Sequence, residues 1–232
     1  SHTYAESGAY TATVTVKDDE NASGSATLTV TVTNAAPVVT AGANQTITEG
    51  GTATVSASYT DVGTLDTHTA TINWGDGTTS AGTVNATAKT VAGSHTYAES
   101  GTYTATVTVT DDESASGPAS LTVTVTNVAP TVTAGANQTI VEGATASIGA
   151  SYSDPGTLDT HTATIAWGDG TTSAGTINAT AKTVAGSHTY AESGAYTATV
   201  TVKDDENASG SATLTVTVTN AAPVVTAGAN QT

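Results

Sequence analysis

The stretch Gly101-Thr-Tyr-Thr-Ala-Thr-Val-Thr-Val109 decides the fold. Tyr103, Ala105, Val107 and Val109 share one side of an extended backbone, and threonines take the other. A period of two is that of a strand buried on one face only. The same alternation recurs in Leu121-Thr-Val-Thr-Val125, across 54–59 and in Thr69-Ala-Thr-Ile-Asn-Trp74, each bounded by Gly, Asp, Asn or Pro. Threonine supplies 55 of the 232 residues, and β-branched side chains at that density favour strands over helices. Several short strands at about ten-residue spacing fit an antiparallel β-sandwich. Strands are expected at 37–48, 53–60, 69–74, 94–97, 102–110 and 119–127, with a hairpin across 78–92.

The pattern is repeated along the chain. Ser94-His95-Thr96-Tyr97 has counterparts at His2 and His188, a spacing of 93 residues. Residues 47–139 and 140–232 differ at 16 positions, and residues 1–46 reproduce 187–232 without change. The chain therefore divides into the C-terminal half of a repeat (1–36), two complete repeats (37–129 and 130–222) and the first strand of a following one (223–232). It reads as a window on a longer array, the alternative being that another chain completes the half-repeat head to tail. The half-repeat, taken alone, would leave strand edges and core exposed. Junctions fall at Asn-Ala-Ala-Pro37 and Asn-Val-Ala-Pro130, where proline ends pairing and stiffens a short linker. Trp74 and Trp167, one per complete repeat, are the side chains large enough to fill a core otherwise made of Ala, Val, Ile, Leu and Tyr.

Composition removes several classes of function. Four lysines, no arginine and 20 carboxylates give a net charge of −16. Nucleic acid and anionic membranes require cationic patches that four scattered lysines do not make. Without cysteine there is no disulfide, thiolate metal site or cysteine nucleophile. No apolar run reaches the ~18 residues of a membrane span, so no membrane insertion of this segment is expected. Ser94 and His95 are adjacent on one strand and point to opposite faces, which defeats a catalytic triad. The His-Thr-Tyr histidines are expected to be structural, bonding a loop backbone. Outward threonine rows suit a surface-binding ladder or an ordinary hydrated face. Asn21, Asn44, Asn85, Asn137, Asn178, Asn207 and Asn230 stand in Asn-X-Ser/Thr sequons. Lysine cross-links are not general, because Lys17 and Lys203 correspond to Thr110.

Trp74-Gly-Asp-Gly-Thr78, Ser94-His-Thr-Tyr97, 101–109 and Asp111-Asp112, with their counterparts at Trp167–Thr171, Ser187–Tyr190 and Gly194–Asp205, resemble the polycystic-kidney-disease (PKD) repeat. The resemblance covers essentially the whole chain. It implies tandem all-β, Ig-like sandwiches on an extracellular or cell-surface protein, non-enzymatic, serving as a spacer or an adhesive module. Partners would be copies of the chain, assembled head to tail or laterally, or a host or cell-surface ligand.

The acids lie in loops or at strand ends. Given a sandwich of this topology, two loops of each module point to the junction with the preceding one. They hold Asp61, Asp66, Asp111, Asp112 and Glu113 in one repeat and Asp154, Asp159, Asp204, Asp205 and Glu206 in the next. The preceding module offers Glu49, Asp76 and Glu99 to the same place. Carboxylates so focused repel one another unless hydrated or bridged, and Ca²⁺ takes ~6–8 oxygen ligands. Two readings stand. Either these ten residues hold calcium that rigidifies the junctions, or they are hydrated loop acids that keep a Thr- and Ala-rich array soluble. Asp76 and Asp169, in Gly-Asp-Gly turns, read as turn-formers rather than ligands.

Overall fold

The computed structural model describes residues 1–228; the Asn230 sequon and the end of the 223–232 segment lie outside them. Two compact units emerge: Ser1–Ile47 with Gly51–Thr126, and Thr48–Gly50 with the chain from Asn127 onward.

The first unit holds β1 (Gly8–Lys17), β2 (Ser23–Val32), β3 (Val38–Thr40), β4 (Gln45–Thr48), β5 (Thr52–Thr60), β6 (His68–Asn73), β7 (Thr79–Ala81), β8 (Thr83–Asn85), β9 (Thr90–Thr96), β10 (Gly101–Asp111) and β11 (Ser116–Thr126). One sheet runs β4-β11-β10-β6-β7, the other β3-β5-β9-β8. Both contribute to a single core in which Val55, Tyr59, Ile72, Trp74, Val91, Tyr97, Val107 and Leu121 are buried. Each such side chain removed from water stabilises the fold by roughly 1.5–3 kcal/mol. Alternation of buried and exposed residues is complete along β5, as its sequence requires.

Three sequence expectations are corrected. The segment expected as one strand at 37–48 is two, β3 and β4, on different sheets. One straight strand cannot pair with both layers, and the chain crosses at Gly42, where an added Cβ would press on the Ser56 carbonyl. The hairpin at 78–92 and the strand at 94–97 are instead β7, β8 and a long β9 from Thr90. Gly82 makes the β7–β8 crossing: its N–H donates to the Ala70 carbonyl, and a Cβ there would meet Val91 and Ala70. The counterpart of the expected 94–97 strand, 93 residues earlier, is absent: residues 1–7 carry no strand, so the half-repeat is the hairpin β1–β2, paired from Gly8↔Val32 to Lys17↔Ser23. Val14, Val16 and Leu28 are 58%, 69% and 53% exposed there, whereas their counterparts Val107, Val109 and Leu121 are buried. The missing opposite sheet accounts for the difference.

The second unit repeats the plan with β12 (Thr131–Ala134), β13 (Gln138–Val141), β14 (Thr145–Ser153), β15 (Thr162–Ala166), β16 (Thr172–Ala174), β17 (Thr176–Asn178), β18 (Thr183–Thr189), β19 (Gly194–Lys203) and β20 (Ser209–Thr219). Its sheets run β13-β20-β19-β15-β16 and β12-β14-β18-β17. All pairings are antiparallel except β13 with β20, which is parallel. Residues 221–228 form no strand.

Candidate functional site

The loop between β5 and β6 and the turn between β10 and β11 meet at one end of the first unit. Asp61 is held by two bonds: its Oδ1 accepts the Gly63 N–H at 3.2 Å, and its Oδ2 lies 2.9 Å from His68 Nε2, both side chains being almost wholly buried. Asp111 closes the β10–β11 turn, where its Oδ1 accepts the Ala115 N–H at 2.8 Å. Its Oδ2 accepts the Asn34 Nδ2 amide at 2.8 Å, from the linker that precedes Pro37. Asp112 is exposed and caps the other loop by accepting the Thr67 N–H at 3.0 Å.

Asp66 differs from all of these. It is 9% exposed, and its buried Oδ2 has no hydrogen-bond partner. Two constellations contain it: ligand atoms of Asp61, Asp66 and Asp111 lie within 4.8 Å of one another, and so do those of Glu6, Asp66 and Glu113. Glu6 comes from the β1–β2 half-module. Desolvation, then the charges of Asp66, Glu113 and Asp112, raise its carboxyl above the ordinary range. Glu6, Asn34, Gly63 and Asp66 also line a cleft of about 220 Å³.

In the second unit Asp154 accepts the Gly156 N–H and pairs with His161 at 2.9 Å, Asp205 accepts the Thr160 N–H, and Asp204 accepts Ala208 N–H and Asn127 Nδ2. Asp159, the counterpart of Asp66, is 7% exposed with neither carboxylate oxygen partnered. Desolvation first, then Asp154, Glu206 and Asp205, push its carboxyl from 3.8 to about 6. Asp154, Asp159 and His161 form one close group; Asp159 and Glu206 form a second with Glu49. Glu49 is 2% exposed: its Oε2 accepts the Val128 N–H at 3.2 Å, while its Oε1 is buried and unpartnered. Desolvation raises its pKa, the Val128 bond opposes that, and Asp159, Glu206 and Asp154 add to it.

All ten sequence-assigned acids thus lie in these two loop pairs. Asp61, Asp66, Asp111 and Glu113 are brought together, as are Asp154, Asp159 and Glu206, while Asp204 is in neither group and is bonded to Ala208 and Asn127, and Asp112 and Asp205 serve as exposed loop caps. Sequence reading did not single out Asn34 and Asn127, although both stand at the start of a recurrent Asn-X-Ala-Pro junction. The buried Oδ1 of Asn127 is also without a partner.

Asp76 is in none of these groups among the described residues. Its Oδ1 accepts both the N–H and the hydroxyl of Thr78, and its Oδ2 lies 2.6 Å from His95 Nε2. The expectation that His95 bonds a loop backbone is therefore corrected. Positive φ at Gly75 and Gly77 shapes a turn that presents a carboxylate to the imidazole, a stronger acceptor than a neutral carbonyl. The ring also stacks on Trp74 with centroids 5.2 Å apart, and Tyr97 donates to the Trp74 carbonyl at 2.8 Å.

Each unit is an Ig-like β-sandwich with acidic loops gathered at one end. The PKD domain family matches residues 34–126 and 127–219, and the chain belongs to it. No curated protein matches significantly. Among solved structures, the PKD domain of an M14-like peptidase from Thermoplasmatales archaeon SCGC AB-540-F20 is 32% identical over 40% of this chain and 98% of its own, with a TM-score of 0.33. The PKD1 domain of Vibrio anguillarum Epp is 25% identical over 40% and 98%, with a TM-score of 0.29. A tetra-tandem repeat from the extending region of a large adhesion protein is 16% identical over 91% and 57%, with a TM-score of 0.50, a likeness of fold. No helix among the described residues is long and apolar enough to cross a membrane.

Proposed function

We propose that the chain is a non-enzymatic structural segment of an extracellular repetitive protein, a stalk, adhesin shaft or filament, whose modules bind Ca²⁺ through their junction loops. The observation that supports it most is the Asp159 carboxylate, buried beside Asp154 and Glu206 with neither oxygen partnered. Leaving a charged oxygen buried and unpaired costs several kcal/mol, so the folded state favours a cation there. Residues 61, 66, 111 and 113, and their counterparts, offer only hard oxygen ligands, which suits Ca²⁺ rather than a thiophilic metal. A spacing role fits tandem modules whose largest aromatics, Trp74 and Trp167, are consumed by their cores, and the extending region named for the adhesion protein is a role of that kind. The alternative of a carbohydrate- or protein-binding adhesive module calls for an exposed aromatic or hydrophobic patch. Among the described residues no Trp or Tyr is in the exposed class.

Thermal melting with millimolar Ca²⁺ and with chelator tests the reading. A rise of several degrees with Ca²⁺, absent with Mg²⁺ at equal concentration, is expected; an unchanged melting temperature would remove calcium from it.

A further inference from the structure

Asp66 belongs to two carboxylate groups at once, and that geometry asks for more than one ion. Asp61, Asp66 and Asp111 form an inner group whose residues all come from one module. Around it the donors are the Gly63 and Ala115 N–H groups, the Asn34 amide and His68. None of these reaches Asp66 Oδ2. Glu6, Asp66 and Glu113 form an outer group that is incomplete without the preceding half-module, because Glu6 lies before β1.

The second unit shows the same sharing. Asp159 sits with Asp154 and His161 on one side, His161 completing the group where the first unit has Asp111, and with Glu49 and Glu206 on the other. Both of its oxygens and Glu49 Oε1 are buried without partners. One monodentate cation would satisfy one of the Asp159 oxygens and leave the other bare, whereas a bridging carboxylate uses both.

Building on the calcium reading above, we infer that each junction holds two Ca²⁺ ions bridged by a single aspartate, Asp66 in the first unit and Asp159 in the second. The inner ion is held within one module. The outer ion recruits a glutamate from ahead of it, Glu6 in the first unit and Glu49 in the second. In the first unit two divalent cations offset the excess of negative charge that one would leave among Glu6, Asp61, Asp66, Asp111 and Glu113, and water supplies the remaining ligands of each.

Calcium titration of the full chain by calorimetry, with the bound ion counted by equilibrium dialysis, tests this. Two ions per complete repeat, about four per chain, are expected from sites of this ligand count. Glu6→Gln, at a partly exposed position, should remove one ion and leave the far- and near-ultraviolet circular dichroism unchanged. Glu113→Gln should do the same, and Asp66→Asn should remove two. A stoichiometry of one ion per repeat, or full retention of calcium by Glu6→Gln, would overturn the two-ion site while leaving calcium binding standing. No binding at all would overturn both.

Discussion

At the scale of single residues, the chemistry is set by which carboxylates have partners. Asp169 is held down to about 2, chiefly by the Thr171 hydroxyl, against opposing desolvation and with further help from the Thr171 N–H and His188. Its stabilising contribution is therefore present above about pH 4 and disappears as pH falls towards 2. Asp169→Asn should lower the melting temperature at pH 7 and shrink the difference between pH 7 and pH 3. Asp159 has the opposite sign. With its carboxyl raised from 3.8 to about 6, the folded state takes up a proton that the unfolded chain has already lost. Stability contributed by that proton is full below about pH 4 and is lost as pH rises through 6, a change of at most about 3 kcal/mol at 1.36 kcal/mol per pKa unit. In chelator, the second unit should therefore melt higher at pH 5 than at pH 7.5. Saturating Ca²⁺ should abolish or reverse that order, and differential scanning calorimetry at the two pH values reads it directly.

At the scale of elements, glycines mark where the strands and loops approach too closely for any side chain. A Cβ at Gly117 of β11 would collide with the Pro37 carbonyl, and one at Gly210 of β20 with that of Pro130. The obstruction is backbone and yields poorly, so Gly117→Ala should cost about 1–3 kcal/mol, measured by urea unfolding. In the β5–β6 loop a Cβ at Gly63 would strike the Asp66 carboxylate. Gly63→Ala should weaken calcium binding at least tenfold by titration calorimetry while sparing the sites of the second unit. Strand identity was legible at this scale: the period-two runs of β5, β6, β10 and β11 lie within a residue or three of where sequence places them. The crossing at Gly42 was not, because alternation reports which face a residue takes and not which neighbour its strand pairs with. The β8–β9 boundary was hidden for a related reason. Thr90–Thr96 carries Gly93 at its centre, and only the Ile72 side chain packed against that spot explains why glycine is needed inside a strand.

At the scale of the whole chain, net charge matters most. Repulsion among the 20 carboxylates opposes the compact state, and added salt screens it over a Debye length of about 8–10 Å. In chelator, raising NaCl from 20 mM to 500 mM should raise the melting temperature. With calcium bound the same change should have a much smaller effect, since the charges nearest one another are already neutralised.

Sequence by itself determined the all-β class, the 93-residue repeat, the tryptophan at each core and the placement of acids in loops. Those features follow from side-chain period, identity and covalent order, which are local. It also placed the ten acids in the loops that meet at one end of each module, because that requires only the topology of a sandwich. What tertiary structure alone decided is the difference between Asp66 and its neighbours. Asp61, Asp111 and Asp112 are each bonded to a group, such as Gly63, Ala115 or Thr67, that any loop of this length supplies. Asp66 Oδ2 and both carboxylate oxygens of Asp159 are buried where no donor reaches them, and the absence of a donor is a property of three-dimensional surroundings that no residue type announces.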